Sequence, residues 1–391
     1  MSQLSREEIF VFAVCGPKEH TDTLAFSLKK LKKFSSKKII VVTDNTRNED
    51  VIDFENVLHV DTPKHFNNHQ ASIFLKTGLP QFLPKGNLYC YLDTDVVAMN
   101  GSCDFIFKEY IQPIRFAPDH CKMPLFSPSA VNCDCTEIVQ KKNEALNKAL
   151  DVEDPFRKST DEQIINLRKE LEQIYWNHRQ DFLSLFKTGI RYFLARQNFW
   201  LTKELQYNKK TRVWSNAQGL AFMRTPNMKK ITSALGLRWS WLKPIPRLKD
   251  GRSIWHLECN HLQQNIRQKF NIHVKKANWQ HWNGGVFLFD DASYDFLKNW
   301  HDYTMLIFED NNWKTRDQGT LIATVWKFGL ENHPILDKKW NLLADYHNPE
   351  VKWEEDGIRM SKTEVVKPAF THVYHHFFDK NWLLWRKIEE L

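Results

Sequence analysis

Two carboxylates one residue apart, Asp93 and Asp95, close the segment Tyr91-Leu-Asp93-Thr-Asp95-Val-Val97. At the end of a strand, side chains two apart point the same way and can share one hard divalent cation. Mg2+ or Mn2+ typically takes one or two carboxylates and fills its other positions with phosphate oxygens and water, so the pair implies a phosphorylated substrate. The tripeptide alone is weak, since roughly one is expected by chance. It is the only Asp-x-Asp in the chain, however, and it caps the best apolar strand. Cys121, Cys133 and Cys135 beside His120 could hold zinc but lack a paired Cys-x-x-Cys arrangement. Seven irregularly spaced cysteines read instead as reduced thiols.

The elements around Asp93 alternate. Strands are expected at Ile9–Cys15, Lys38–Thr43, Asn56–Val60, Leu88–Leu92 and Ile114–Ala117. Helices are expected at Thr21–Phe34, capped by Thr21 or Asp22, and at His69–Leu83. Strands that are apolar throughout and alternate with helices mean a mostly parallel sheet covered on both faces. Ligands then bind outside the carboxyl ends of the strands. That places Cys15-Gly16, Thr43-Asp44 and Asp93-Thr94-Asp95 around one crevice. From 121 to 281 the pattern turns helical and aromatic, with a capping box at Thr160–Gln163, a strand at Gln218–Arg224 and a helix at Trp255–Phe270. Sheet character returns at Trp282–Asp290, followed by helices at Ala292–Phe308 and Asp317–Phe328, a short strand at Ala369–Tyr374 and a closing amphipathic helix at Trp382–Trp385. The expected organisation is a binding half over 1–120, a mostly helical insertion over 121–281 and a completing half over 282–391.

Composition sets the outer bounds. The chain has 391 residues, 42% of them hydrophobic and 13% aromatic, which excludes wholesale disorder and a disulfide scaffold. No stretch reaches the roughly 18 uninterrupted apolar residues of a membrane-crossing helix. The polar start over residues 1–8 is unlike a signal peptide, so the expected compartment is cytoplasmic. A net charge of +8 is modest for a nucleic-acid binder, and no recognition module is visible. The basic run Lys29–Lys38 carries an apolar stripe at helical spacing and reads as a solvated helix face.

Leu79-Pro-Gln-Phe-Leu-Pro84, a short loop and Leu88-Tyr-Cys-Tyr-Leu-Asp93-Thr-Asp95 together resemble the heart of GT-A nucleotide-sugar glycosyltransferases, most nearly glycosyltransferase family 8. Phe116-Ala-Pro-Asp119, Asn283-Gly284-Gly-Val-Phe-Leu-Phe289, Asp317-Gln318, Trp340-Asn341 and His375-His-Phe-Phe-Asp-Lys380-Asn-Trp382 are similar to the family's later segments, in the same order. The resemblance implies a GT-A fold and a hexosyltransferase-like activity with a nucleotide-sugar donor, usually carrying UDP. It implies Mn2+ (or Mg2+) on Asp93, Asp95 and a C-terminal histidine, His372, His375 or His376. Asn283 and Gly284 would lie near the sugar, Asp317 and Gln318 would face the anomeric carbon, and Lys380 would contact the diphosphate. Lys76 stands where the family usually has Arg, and can neutralise phosphate only as a point charge. Gly319 replaces an acidic residue, Asn381 replaces Pro, and the insertion has no counterpart.

The family relation implies transfer with retention, by front-face attack or through a transient enzyme nucleophile. The acceptor would be a sugar, protein or lipid hydroxyl. An inverting GT-A transferase is an alternative. So is a sugar nucleotidyltransferase, although Cys15-Gly16-Pro17-Lys18 offers one glycine where a triphosphate cradle needs more. A non-enzymatic polyanion-binding protein is the third, and its phosphates would be repelled by the paired carboxylates. Trp200, Trp214, Trp239, Trp241, Trp255, Trp279 and Trp282 fall in or beside the insertion and suit sugar faces, a subdomain core or a membrane headgroup zone alike. Together with the C-terminal helix and the basic helix, they are compatible with peripheral membrane contact.

Overall fold

The computed structural model describes residues 6–240, 244–315, 317–355 and 357–391; Trp241 and the first five residues of the polar start lie outside them. The chain divides into two compact units, one made of residues 1–133 with 259–391, the other of 134–258.

The first unit is mixed α/β and built on six strands in the order Val57–His59, Lys38–Thr43, Glu8–Val14, Leu88–Leu92, Gln280–Phe289, Ile114–Lys122. The first four are parallel, and Gln280–Phe289 runs antiparallel to both of its neighbours. The central strands are apolar on both faces because helices and aromatics cover both sides. On one side Phe116 stacks on Trp282 at 5.1 Å and on Phe287 at 4.7 Å, with Trp300 edge-on at 5.8 Å. On the other, Phe10 packs edge-on to Phe107 and Phe370. A three-stranded sheet, Leu342–Leu343, Phe370–His372 and Val96–Ala98, follows directly from the Asp93–Asp95 turn.

Several boundaries differ from expectation. The first helix begins at Lys18, with Pro17 in the capping position, so Thr21 lies inside it and its hydroxyl donates to Lys18 O. The helix expected over 69–83 is two, Asn68–Thr77 and Leu79–Phe82, broken at Gly78, where a Cβ would lie 2.8 Å from Phe74 O. The helix expected from Trp255 begins at His261. The strand expected from Trp282 begins at Gln280, and Asn283-Gly284-Gly285 is buried inside it. The basic helix is not a bare cationic face. Lys30 is buried and donates to Glu389 O, Lys33 donates to Leu391 O, and Lys32 pairs with Glu55. Trp385 is buried too, so the C-terminal helix Leu383–Glu390 packs inward.

The second unit is narrower than 121–281 because the flanking pieces belong to the first. The Ile114–Lys122 strand runs on past the expected Ala117, and helices Met123–Ala130 and His261–Phe270 pack with it. The strand expected at Gln218–Arg224 is present as Ala221–Arg224 and belongs to a small sheet. Beside helices Cys135–Glu153, Glu162–Gln180 and Phe182–Leu194 the unit holds an antiparallel meander of Asn198–Trp200, Leu205–Asn208, Val213–Asn216 and Ala221–Arg224. Strands of three or four residues leave little periodicity to read. Asp161, not Thr160, caps the second helix, accepting from Gln163 N.

Candidate functional site

The strand order reverses beside Glu8–Val14: connections run outward through Lys38–Thr43 on one side and start again at Leu88–Leu92 on the other. A crevice outside the carboxyl ends of the strands is expected at such a switch point. A cavity of about 770 Å³ lies there, lined by Ala13, Val14, Lys76, Asp93, Thr94, Asp95 and Asp317 among others. The turn that carries the carboxylates is pinned on three sides. Asp93 N donates to Gly285 O at 2.8 Å, Val96 N to Asp93 O at 3.0 Å, and the Ser27 hydroxyl to Thr94 O at 2.6 Å.

Strand pairing then delivers a histidine. Phe370–His372 runs antiparallel to Val96–Ala98 with His372 opposite Val96, and Val373 N donates to Asp95 O at 2.9 Å. His372 Nε2 lies 3.1 Å from Asp95 Oδ1, and ligand atoms of Asp93, Asp95 and His372 all fall within 4.8 Å of one another. His375, the other candidate, is exposed and lines the cavity from the loop beyond.

The far side of His372 is held by a chain of amides. Gly285 N–H, which can only donate, gives its hydrogen to Asn283 Oδ1 at 2.8 Å. This fixes Asn283 Nδ2 as the donor to Asp119 at 3.0 Å. Asn341 Nδ2 then donates to Asn283 Oδ1 at 3.0 Å, which leaves Asn341 Oδ1 to accept from His372 Nδ1 at 3.1 Å. In the neutral ring the hydrogen therefore sits on Nδ1 and the Nε2 lone pair faces Asp95 and Asp93, the arrangement that a metal-ligating histidine requires. Burial alone would lower the His372 pKa, but the Asp95 charge raises it; for Asp95, burial would raise the pKa and His372 lowers it. Burial likewise pushes Asp119 up, and the hydrogen bonds from His120 and Asn283 with the His281 ring more than reverse it.

Lys76 is the other cation. It is 8% exposed, and its Nζ lies 3.1 Å from both Asp93 and Asp317. Its helix is fixed by a capping box between Asn67 and Gln70. Burial would lower the Lys76 pKa, but the two carboxylates hold it above the ordinary lysine value, and Lys76 in turn keeps Asp317 below the ordinary range against the effect of burial. Tyr91 donates to Asp93 Oδ1 at 2.6 Å. Both ion pairs depend on missing side chains in the neighbouring strand. A Cβ on Gly284 would lie 3.3 Å from Lys76 Nζ, and one on Gly285 2.5 Å from His372 Cε1. The strand bulges between Asn283 and Phe287, and glycine in a strand marks such a close approach.

Other expected residues lie elsewhere. Asn283 is buried and its amide is used inside the protein, away from the cavity lining. Gln318, with its amide oriented to satisfy both ends, donates to Trp282 O at 3.1 Å and accepts from Gly284 N at 3.2 Å. Asp317 precedes helix Gln318–Lys327, and its carbonyl accepts from Trp300 Nε1. Cys15, Gly16, Thr43 and Asp44 tie loops together and are not among the lining residues. Cys15 Sγ lies 3.4 Å from the Ser72 hydroxyl. Asn48 accepts from Gly16 N and donates to Thr43 Oγ1. Asp44 accepts from the amides and hydroxyls of both Thr46 and Thr62. Lys380 is exposed and absent from the lining. Cys121 lies by Asp119 and His281, while Cys133 lies by Cys259, so the cysteine cluster read with His120 does not form. Sequence reasoning gave no role to Tyr91, Asn341 or Asp119, although each stood inside a segment singled out above.

No protein-family profile and no curated protein sequence matches the chain. Among solved structures it is similar to the galactosyltransferase LgtC in complex with donor and acceptor sugar analogues, at 9% identity and a TM-score of 0.41 over 98% of this chain and 94% of that one. Mouse xyloside xylosyltransferase 1 is similar at 11% identity and a TM-score of 0.34, covering 88% of each chain. The bifunctional glycosyltransferase WbbM is similar at 9% identity and a TM-score of 0.35; 88% of this chain matches, and it spans 41% of the WbbM chain. Likenesses of this size assign neither a family nor an activity.

Two substitutions test the geometry. Gly285→Ala is expected to drive His372 from its place at a cost of about 1–3 kcal/mol, seen as a lower melting temperature and a moved His372 ring resonance. Gly284→Ala should cost less, because a lysine chain end can give way. For Asp44, burial alone would raise the pKa, but the four hydrogen bonds carry it down from 3.8 to about 2. A depressed carboxylate stabilises the fold above its unfolded pKa and loses that contribution as pH falls through its folded one. Asp44→Asn should therefore cost most above pH 4, with the difference from the parent closing towards pH 2 in urea titrations.

Proposed function

We propose that the chain is a metal-dependent glycosyltransferase of the GT-A kind, nearest to glycosyltransferase family 8. It would move a sugar from a nucleoside diphosphate donor, UDP-sugar, to an acceptor hydroxyl with retention. The observation that carries this reading is the convergence of Asp93, Asp95 and His372 at a switch-point cavity that is also lined by Asp317, joined to Asp93 through Lys76. The donor set suits Mn2+ or Mg2+: two hard carboxylates, one imidazole with its lone pair presented, and room beside them for phosphate and water.

Asp93, Asp95 and His372 Nε2 would hold the cation, which when bound supplies Lewis-acid neutralisation of charge on the departing diphosphate. Lys76 keeps Asp317 below the ordinary carboxylate range, pairs with Asp93 and adds fixed positive charge at the same place, at no cost of reorganisation. Asp317 lines the cavity and shares Lys76 with Asp93, and it would be the group to face the anomeric carbon, as nucleophile or as stabiliser of developing positive charge. Gln318 and Asn283 act by position: Gln318 fixes the Gly284 amide, and Asn283 fixes Asn341 and hence His372. Lys76, rather than Lys380, is the cation at the site itself.

The acceptor would be a sugar, protein or lipid hydroxyl, and peripheral membrane contact belongs to the same reading. In the second unit, helix Phe182–Leu194 exposes Leu183, Phe193 and Leu194, the last two at 84% and 73%, with Lys187 and Arg191 as its only charges. A basic helix with an exposed apolar face is the form that lies in a headgroup layer. Among described residues, no helix is long and apolar enough to cross a membrane. Of the tryptophans read for this role, Trp214, Trp279 and Trp282 are buried and Trp200 and Trp255 are exposed.

Thermal unfolding with UDP, GDP and CMP, each with Mn2+ and with EDTA, tests the donor site. UDP with Mn2+ at a hundred times its Kd should add about 2.7 kcal/mol, and Asp93→Asn/Asp95→Asn should abolish the gain. A folded protein that no nucleotide stabilises would overturn the reading. Sedimentation with anionic liposomes at low salt tests the membrane contact: the parent should pellet, and Phe193→Ser/Leu194→Ser should stay in the supernatant. A parent that never pellets removes it.

A further inference from the structure

Cys133 and Cys259 are the residues at which the chain leaves and re-enters the first unit. Their sulfurs lie 3.7 Å apart, and His261 Nδ1 lies 3.4 Å from the Cys259 sulfur. Ligand atoms of the three residues all fall within 4.8 Å of one another. In sequence they belong to the paired spacing Cys133-x-Cys135 and Cys259-x-His261.

The separations discriminate between explanations. A disulfide brings sulfurs to about 2.05 Å, and all seven cysteines are unbridged. Thiols that only fill a core pack as small hydrophobes and gain little by facing another thiol and a ring nitrogen. Around a tetrahedral zinc, bonds of about 2.3 Å to sulfur and about 2.0–2.1 Å to nitrogen put neighbouring sulfurs about 3.8 Å apart and sulfur and nitrogen about 3.6 Å apart. The observed 3.7 and 3.4 Å match that polyhedron. The donors are soft thiolate and imidazole, which select Zn2+, unlike the hard carboxylates at Asp93 and Asp95.

The surroundings hold the three groups in place. Ser127, on helix Met123–Ala130, has its hydroxyl 3.0 Å from the Cys259 sulfur and accepts from Leu262 N, at the head of the helix that His261 begins. Just before Cys133, Val131 bridges to Trp313 and Asn132 N donates to Asn312 O. The geometry points to a structural zinc site at Cys133, Cys259 and His261, with the fourth corner open to water or a further thiol. Such an ion clips together the two ends of a long excursion of the chain, where a cross-link removes the most freedom from the unfolded state.

The test is metal content of the full chain grown with zinc and passed through chelator-treated buffer. About one zinc per chain is expected, together with a thiolate-to-cobalt charge-transfer band when cobalt replaces it. Cys259→Ser and His261→Ala should lose the metal, His261→Cys should keep it, and Asp93→Asn/Asp95→Asn should keep it too. If the first two variants fail to fold, the zinc count and cobalt band of the parent still decide. A parent without zinc, a Cys133–Cys259 disulfide in the non-reduced peptide map, or zinc that leaves only with the aspartate variant would each sink the proposal.

Discussion

Three carboxylates, Asp93, Asp95 and Asp317, are brought to one crevice, and without cations among them they would repel one another in a poorly solvated place. Lys76 and His372 remove that conflict, and much of the first unit is arranged to let them. Lys76 reaches from the helix on one side of the sheet to lie between Asp93 and Asp317. His372 reaches from the C-terminal strand to Asp95. A lysine suits the first place because one compact charge can be shared by two carboxylates, whereas a guanidinium fork favours one coplanar partner.

The position of the carboxylates was legible in the sequence because it depends on local signals: an apolar strand, a polar turn, and alternation with helices. The choice of histidine was not. It rests on the register of Phe370–His372 against Val96–Ala98, which no local pattern specifies. The work of Asn283 was hidden for the same reason, since its partners Asp119 and Asn341 are distant along the chain. Asp317 could be placed at a helix start, but its shared lysine could not.

Polar residues at strand ends were read as facing a ligand, and here the loops themselves use them. Asp44 spends both oxygens on Thr46 and Thr62, and Asn48 joins Gly16 to Thr43. Sequence alone does not separate these uses, because a loop's unpaired backbone amides and a bound phosphate ask for similar partners. The lysine run does form a helix whose Lys29, Lys32 and Lys33 are exposed; what could not be read was the buried Lys30, because the C-terminal carbonyls that take up Lys30 and Lys33 come from the other end of the chain.

The space left by Gly285 ties two distant positions together in evolution. A side chain there would meet two groups: the imidazole at 372, 2.5 Å from its Cβ, and the Asn283 amide oxygen, 2.8 Å from it. A descendant that exchanged the histidine for a smaller residue would remove the nearer of the two obstacles, while the reverse order would first meet both. Substitutions at the two sites should therefore arise in sequence, 372 before 285, leaving paired changes rather than independent ones in the lineage.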